Sequence, residues 1–403
     1  MAAIDDSGAN SAGLRSQRLA LWALMLGNLV IATGFLLPAG TLHLIAADLS
    51  VSVPRAGALM WAGGITLAIG APTMAWLASP VDRRRLLVAA LLLYALGHAL
   101  SAMATEFEWL LPLRLFTLIG AAIYTPQAAA TASLLLPPHR RAAGVTVVFL
   151  GWSVASALGM PLASWVGAHA GWALPFWVLS AAATAVLALL AVALPAGLYT
   201  PRVSLRTWLD VARDRALPVI LAVTVALMSG QFALFTYLAP EIERRLAAGP
   251  AMLAALLAWY GLFGFAGNLL ASRAVGRVGV GHSVLAALGC VGAGLLCLAL
   301  TPPLPLAYFA SFLIWGLGGF AAQSLQQARL IAARPALAPA TVALNSAALY
   351  VGQALGGLAG AWAISAGWPD GLPWIGLAMV MVAMVVSVLA DRRAEPGAAR
   401  HDA

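Results

Sequence analysis

Titratable side chains interrupt the apolar runs of this sequence at few positions, and chemistry is possible at those positions. Arg114 places a permanent cation within an apolar run, while His43 and His98 carry imidazoles whose ordinary pKa lies near neutrality. Glu241 and Asp82 are the acidic candidates beside the same runs. These side chains could attract an anion or exchange a proton, and both roles stay open at this point.

Amides and phenols form a second set of polar side chains within the apolar runs. Because hydrocarbon cannot satisfy their hydrogen bonds, such groups either join helices to one another or contact a polar ligand. Together with the arginine, the candidates for ligand contact are Asn28, Arg114, Tyr124, Gln127, Gln231, Tyr237, Gln323 and Gln326. For each of them, bonding between helices is the alternative interpretation.

Enzyme chemistry finds little support in the sequence. It contains no His-Glu-x-x-His pattern, no paired aspartates within an apolar run and no Ser-His-Asp arrangement near the end of one. Cys290 and Cys297 lie in one apolar run at a spacing typical of small core side chains on one helix face. We therefore predict no catalytic residues, no metal site and no cofactor, and keep a polytopic membrane enzyme as a remote alternative.

The elements that must position these polar groups are membrane-spanning helices. The 403 residues are 62% hydrophobic and 9% charged, with a mean hydropathy of +0.93, whereas soluble domains are about 25% charged. The formal net charge is +8, but the arginines lie in short clusters between apolar runs, so we expect no nucleic-acid partner. The composition is that of a multi-pass membrane protein.

Charges and Pro/Gly clusters divide the chain into twelve apolar segments of about 20 residues, the length needed to cross a bilayer. In the first half these segments are 19–41, 56–78, 86–104, 109–135, 142–167 and 173–194. In the second half they are 217–240, 251–271, 283–301, 306–331, 340–365 and 373–390. The predicted fold is an all-α membrane protein with twelve transmembrane helices in two pseudo-symmetric halves of six.

The arginines predict the orientation of these spans, because positive charge collects on the cytoplasmic side. With the amino terminus inside, 17 of the 22 arginines fall on the inner side, 3 on the outer side and 2 within spans. We therefore predict that both termini lie in the cytoplasm.

The longest polar connection, 195–216, sets the predicted domain boundaries. It separates a first half, 19–194, from a second half, 217–390, and the cytoplasmic tails are 1–18 and 391–403. Within the connection, apolar and charged residues alternate in the pattern of a short amphipathic helix on the membrane surface. Glycine-rich segments that end in Gly-Trp occur in both halves, which is typical of two parallel six-helix repeats.

Local motifs add to this pattern. Asp82, Arg83, Arg84 and Arg85 join the second and third spans, and an aspartate beside arginines at a helix end can act as a conformational latch. A plain positive-inside anchor is the alternative, although an anchor would not need the aspartate.

Four glycines and one proline predict close helix packing in the fifth and eleventh spans. They are Gly159, Pro161, Gly167, Gly352 and Gly356.

With these motifs the sequence resembles the major facilitator superfamily, and within it the drug:proton antiporter branch of bacterial sugar-efflux and chloramphenicol-efflux proteins. The resemblance covers about residues 19–390. It implies a secondary active transporter that exports a drug, sugar or metabolite by alternating access and proton antiport. The scarcity of acidic residues within the spans, together with Arg114, favours a small neutral or anionic amphipathic cargo. The Gly159-x-Pro161 pattern of the fifth span favours export over import within this family.

The resemblance also implies a monomer in the bacterial inner membrane, with a small-molecule substrate, the proton as coupling ion and the lipid bilayer as partners. Many members of the branch carry a carboxylate in a Thr-Glu-Phe stretch of the first span, where this chain has Gly34. A proton-independent facilitator or importer of the same fold is therefore the alternative. The remaining candidates for proton coupling are Glu241, Asp82, His43 and His98.

Overall fold

The computed structural model describes residues 6–78, 80–137, 140–199 and 205–394. Residues 1–5 of the predicted amino-terminal tail lie outside the described residues, as do residues 200–204 of the central connection and 395–403 of the carboxy-terminal tail. Within the described ranges, twelve helices are long and apolar enough to cross a membrane, which confirms the predicted number of spans.

The long apolar segments form helices because a helix satisfies its own backbone hydrogen bonds in lipid. The helices of the first six spans are Asp6–Asp48, Ala58–Leu77, Arg83–Ala102, Phe107–Leu135, Arg141–Val154 continued by Met160–Ala170, and Ala173–Ala193. Those of the last six spans are Leu217–Phe235, Pro250–Val278, Val280–Leu300, Pro305–Ala333, Ala338–Ser365 and Leu372–Ala394. Three short helices, Val53–Ala56, Leu205–Arg213 and Leu238–Leu246, connect spans.

The first and seventh helices end elsewhere than the sequence predicts. The first helix does not stop at 41 but continues to Asp48, with Pro38 in its interior, and the chain turns at Ser50, whose φ is 53°. The seventh span ends at Phe235 and not at 240. Since Pro240 has no N–H to donate to the preceding turn, the chain breaks and restarts as Leu238–Leu246, with this proline in the first turn.

Contacts group the chain into two compact units. The first unit contains Met1–Leu37 and Thr73–Arg202, and the second contains Pro38–Pro72 and Val203–Ala403. The second unit thus includes the last part of the first helix and most of the second span, in addition to the six later spans. A Cβ at Gly64 would lie only 3.0 Å from the carbonyl oxygen of Tyr350, so this part of the second span packs closely on the eleventh.

Glycines bring the helices of each unit into close contact in a corresponding way. In the second unit, a Cβ at Gly352 or Gly356 would approach a carbonyl oxygen of the seventh span to 2.5 Å or less. In the first unit, a Cβ at Gly151 of the fifth span would lie 2.5 Å from the carbonyl oxygen of Met25 in the first span. The pairs formed by spans five and one and by spans eleven and seven are therefore built alike, as two repeats require.

Of the other packing residues predicted in the fifth span, Gly159 ends a π-helical turn, Ala155–Gly159, and Pro161 and Gly167 lie in the helix that follows it. A side chain at Gly159 would overlap Thr33 of the first span, and Pro161 and Gly167 are buried. A π-helical turn shifts the face that a helix presents to its neighbours. The fifth span thus meets the first span before this turn, at Gly151, and at its last residue, Gly159.

Gly356→Ala is expected to destabilise the protein by about 1 to 3 kcal/mol, because the new methyl group would overlap the backbone carbonyl of Ser229, which cannot swing away. Thermal unfolding of the detergent-solubilised protein measures the effect. Gly289→Ala is the matched control, since nothing lies within 4 Å of the Cβ it would add in the middle of the ninth span. Equal stability of the two variants would contradict the packing assigned to Gly356.

The predicted amphipathic helix in the central connection is confirmed as Leu205–Arg213. Its Val211 is fully buried in an apolar cluster with Leu217, Leu330 and Ala340 of the second unit, while Leu209 remains exposed. The helix therefore covers the ends of the seventh, tenth and eleventh spans with part of its apolar face.

Candidate functional site

Arg114 is buried inside the first unit, and none of the described residues forms an ion pair with it. Its side chain is 1% exposed, and one Nη2–H donates to the carbonyl oxygen of Phe35 at 2.9 Å. The Tyr94 side chain is its other polar neighbour. Its Nε and Nη1 have no hydrogen-bond partner among the described residues. A buried guanidinium with unused donors is costly to keep, and it can hold a carboxylate, carbonyl or nitro oxygen.

His98 lies beside Arg114 and is fully buried. Its Nδ1 is 3.0 Å from the carbonyl oxygen of Tyr94, and its ring stacks on the Tyr94 ring with centroids 4.3 Å apart. Because a carbonyl oxygen only accepts, Nδ1 carries the proton of the neutral ring, and Nε2 presents a lone pair. Nε2 has no hydrogen-bond partner in the described part of the chain.

Gly34 of the first span makes room for this pair of rings. A Cβ at this position would lie 2.7 Å from the Nε2 of His98 and would overlap the hydroxyl of Tyr94. The side chains of the third span thus occupy the volume that a side chain at position 34 would need. A further unused donor, the Nε1–H of Trp152, lies nearby on the fifth span, where the indole packs on Phe35 at 6.0 Å.

The amide and phenol candidates of the first unit bond to neighbouring helices. Asn28 donates to the carbonyl oxygen of Val148 at 3.0 Å and accepts from Thr125 at 2.7 Å. Tyr124 donates to the carbonyl oxygen of Leu24 at 3.2 Å. These bonds tie the first span to the fourth and fifth spans, and a role in ligand contact stays a prediction for both residues.

Gln231 stands at the centre of an aromatic cluster in the second unit. Its Oε1 accepts from the hydroxyl of Tyr260 at 3.1 Å and from the indole N–H of Trp315 at 3.2 Å. The rings of Phe235 and Phe320 lie 5.9 Å and 5.7 Å from the Tyr260 ring. Such a cluster offers broad apolar faces with a few fixed polar groups, which is the composition of many small-molecule sites.

The remaining amide and phenol candidates of the second unit differ in their surroundings. Tyr237 donates to the carbonyl oxygen of Gly357 at 2.9 Å, and Gln326 donates to that of Ile220 at 3.0 Å. Gln323, one turn before Gln326, is half-buried. The bonds of Tyr237 and Gln326 join helices, as those of Asn28 and Tyr124 do in the first unit.

Glu241 lies on the short helix Leu238–Leu246 among arginines. It accepts from Arg244 at 2.9 Å and lies 3.8 Å from Arg245, and Arg244 also pairs with Asp370 at 2.6 Å. Burial raises the pKa of Glu241, although both guanidinium groups oppose the shift. The carboxylate therefore belongs to a network that compensates its charge.

His43 is half-buried in the last part of the first helix, within the second unit. Its Nδ1 has no hydrogen-bond partner among the described residues, and Glu243 is its charged neighbour. The protein therefore encloses this ring only in part, unlike the ring of His98.

Asp82 caps the third span and binds the segment after the sixth. It accepts from the backbone N–H of Arg85 at 3.1 Å, of Gly197 at 2.6 Å and of Leu198 at 3.2 Å. Burial alone would raise the pKa of Asp82, but these three hydrogen bonds outweigh it and hold the pKa below its ordinary value. The carboxylate thus stabilises a junction between two helices of the first unit.

The three arginines after this aspartate have different surroundings. Arg83 is buried and donates to the Gln127 side chain and, at 3.1 Å, to the carbonyl oxygen of Ala78. Arg84 is half-buried, and Arg85 is exposed. Gln127, a predicted ligand contact, is therefore engaged by the predicted latch in this structure.

Residues 24–336 match the sequence profile of the Major Facilitator Superfamily, which is more than half of the chain. The chain belongs to the Major Facilitator Superfamily. It is therefore a multi-pass membrane transporter, in agreement with its twelve spans and with the fold class expected from the sequence.

Several members of this superfamily are similar to the chain over nearly its whole length. The inner membrane transport protein YdhP of Escherichia coli K12 is 29% identical over 355 residues, which cover 86% of this chain and 89% of that protein. A chloramphenicol resistance protein of Streptomyces lividans is 28% identical over 375 residues, or 92% and 95% of the two chains. A bacterial homolog of the human lysosomal transporter Spinster, solved in an inward-facing and unoccupied conformation, shares the fold with a TM-score of 0.75 at 17% identity, covering 95% and 99%.

Four aromatic residues of these clusters escape sequence reasoning. Tyr94, Trp152, Tyr260 and Trp315 lie in apolar runs where a ring that faces lipid and a ring that faces the protein look the same. One signal available in the sequence is Gly319, a small residue one turn after Trp315. In the structure a Cβ at Gly319 would overlap the hydroxyl of Tyr260, so this glycine makes room for the ring cluster. Small residues one turn from an aromatic residue can therefore mark the inward face of a span.

Proposed function

We propose that this superfamily member is a secondary active transporter that exports a small neutral or anionic amphipathic molecule by alternating access, in exchange for protons. The observation that carries the cargo class is Arg114, whose guanidinium is buried and keeps two nitrogen atoms unpaired among the described residues. An oxygen-rich or anionic molecule would satisfy these donors, whereas a cationic molecule would be repelled.

The second unit supports an amphipathic cargo. The rings around Gln231 provide apolar contact area, and the amide fixes the orientation of two polar edges, Tyr260 and Trp315. Relatives named as a chloramphenicol resistance protein and as an inner membrane transport protein support drug export across the bacterial inner membrane. The arginine distribution supports cytoplasmic termini. The transporter is proposed to act as a monomer.

Accumulation in inside-out membrane vesicles tests the proposal. Wild-type vesicles with an acidic interior are expected to accumulate labelled chloramphenicol or a fluorescent aryl sulfonate above the external concentration, and a protonophore should abolish the accumulation. Tetraphenylphosphonium, a cationic amphiphile, should not accumulate. Vesicles without the protein are the control. Accumulation of the cation alone would contradict the cargo class.

A proton-independent facilitator is the second candidate, because the buried carboxylates of the described residues, Asp82 and Glu241, both lie outside the twelve spans. A facilitator would bring the cargo to the same internal level with and without the pH gradient. Equal levels in the vesicle experiment would therefore replace antiport with facilitated diffusion.

A further inference from the structure

We propose that His98 is the group in the first unit that takes up and releases the exchanged proton. The inference rests on the proposed proton antiport and names the residue that performs it. The step itself is simple: a proton binds the Nε2 lone pair to give an imidazolium, and the same proton leaves from Nε2 when the site opens to the other side.

The other titratable candidates are engaged or exposed. Asp82 accepts three backbone hydrogen bonds, which hold it ionised. Glu241 is compensated by Arg244 and Arg245. His43 is half-buried and has Glu243 as a charged neighbour, which offsets the charge of its protonated form. His98 is fully buried and its Nε2 is unpaired in the described part of the chain.

The surroundings of His98 hold the ring in the form that can accept a proton. The bond from Nδ1 to the carbonyl oxygen of Tyr94 fixes the tautomer, so that the basic nitrogen is Nε2. Phe176 packs on the ring from the sixth span at 5.6 Å, and Gly34 leaves the space in front of Nε2 free of a side chain. The ring is therefore oriented by its neighbours while its basic nitrogen stays unused.

The charged and titratable groups that face His98 are Arg114 from the fourth span and Tyr94 from its own helix. The sixth span, Ala173–Ala193, contains no titratable side chain, and the part of the first helix near Gly34 contributes none. An imidazolium would therefore stand beside the Arg114 cation, and no carboxylate of the described residues would offset either charge. Two buried like charges repel strongly, so proton uptake should drive the site out of the present arrangement.

Protonation would also leave the new Nε2–H without an acceptor in the present packing. Buried donors without partners cost free energy, so the protonated state should favour a conformation in which water reaches Nε2. Proton uptake and a change of conformation are then linked through one atom, which is what an exchanger requires.

His98→Asn tests the proposal, because the asparagine amide can still donate to the carbonyl oxygen of Tyr94 while the titratable nitrogen is lost. His169→Asn is the matched control. The Nδ1 of His169 lies 2.8 Å from the carbonyl oxygen of Trp165, and its ring stacks on the Trp165 indole with centroids 4.4 Å apart, but His169 is exposed. In inside-out vesicles, His98→Asn should lower accumulation driven by the pH gradient by about 10-fold or more. Exchange of labelled for unlabelled chloramphenicol without a gradient should persist, and His169→Asn should behave as wild type.

Each outcome decides one point. Loss of driven accumulation with intact exchange supports His98 as the proton carrier, whereas driven accumulation by His98→Asn overturns it.

If wild-type protein shows no driven accumulation, the proposed antiport fails. The titration of His98 is then decided by NMR of isotope-labelled histidine, with the signal assigned by its absence in His98→Asn. A signal that moves with pH and shifts when cargo is added supports a proton site coupled to transport. A signal that stays constant from about pH 5 to pH 9 overturns it.

Discussion

Replacing Arg114 with alanine is expected to abolish transport of anionic and carbonyl-rich cargo. Each charge-assisted hydrogen bond lost is worth about 1.5 to 3 kcal/mol, which corresponds to a decrease of about 10- to 100-fold in affinity. Binding of the aryl sulfonate and of chloramphenicol to the purified protein measures the effect directly. Unchanged binding of both compounds would reduce Arg114 to a contact between the fourth span and Phe35 of the first.

Substitution of Arg114 by an apolar residue is expected to increase the stability of the protein, in contrast to its effect on transport. Arg114 is buried and has no acidic partner in the described ranges, so Arg114→Met replaces an uncompensated charge by an apolar chain of similar length. We expect the protein to become more stable by about 1 to 3 kcal/mol while transport is lost. A residue retained at the expense of stability is typical of a functional site.

Arg329 provides the matched control for this stability measurement. It is another buried arginine within a span, but it pairs with Asp391 at 2.6 Å and bonds to Ser387 at 2.9 Å. Arg329→Met removes satisfied bonds and should lower thermal stability, in contrast to Arg114→Met. If both substitutions destabilise the protein to the same extent, Arg114 has partners equivalent to those of Arg329, and the argument for an unused guanidinium fails.

The twelve spans could be predicted because they follow from the length and composition of apolar runs, which the bilayer fixes. The residues at which the helices end are harder to predict from the sequence. A proline interrupts the seventh span at Pro240 but is accommodated in the first helix at Pro38, and the sequence alone does not show which proline the surrounding helices tolerate. The packing of residues 38–72 with the later spans likewise depends on contacts that no single segment encodes.

The candidate site could be predicted only in part. Arg114 and His98 stand out because charge and imidazole are rare in apolar runs, and both are fully buried in the structure. Their relation to Gly34 could not be predicted, since it depends on the third span filling the space beside the first. The rings of Tyr94 and His98 thus fill the volume that a side chain at position 34 would occupy, and this can be seen only once the helices are packed together.

Asp82→Asn is expected to impair transport while the protein still inserts and folds. The substituted amide can keep its oxygen on the N–H of Arg85, but its NH₂ group would face the N–H of Gly197, a donor against a donor at a site where the carboxylate oxygen lies 2.6 Å away. The loss should be about 1 to 3 kcal/mol of local stability. Thermal unfolding and vesicle transport of the same preparations measure the two effects.

The pH dependence of this loss identifies its cause. The folded protein holds the pKa of Asp82 below its ordinary value, so the ionised carboxylate stabilises the fold above the ordinary pKa. This contribution disappears as the pH falls through the lower, folded pKa. The difference in stability between wild type and Asp82→Asn should therefore be constant from about pH 5 to pH 8 and shrink below about pH 4. A difference that is unchanged in acid would mean that the charge of Asp82 is not what the junction uses.

Comparison with Asp214 distinguishes a conformational latch at Asp82 from a structural helix cap. It accepts from the N–H groups of Ala216 and Leu217 at 2.8 Å and 3.0 Å before the seventh span, as Asp82 does before the third, and it pairs with Arg334 at 2.7 Å. If Asp82 helps to determine which of two conformations is populated, Asp82→Asn will reduce transport more than Asp214→Asn does at an equal loss of stability. Equal losses of transport at equal losses of stability would make both residues helix caps. Since an arginine cluster alone suffices for membrane orientation, either result gives Asp82 a role beyond orientation, as a conformational latch in the first case and as a helix cap in the second.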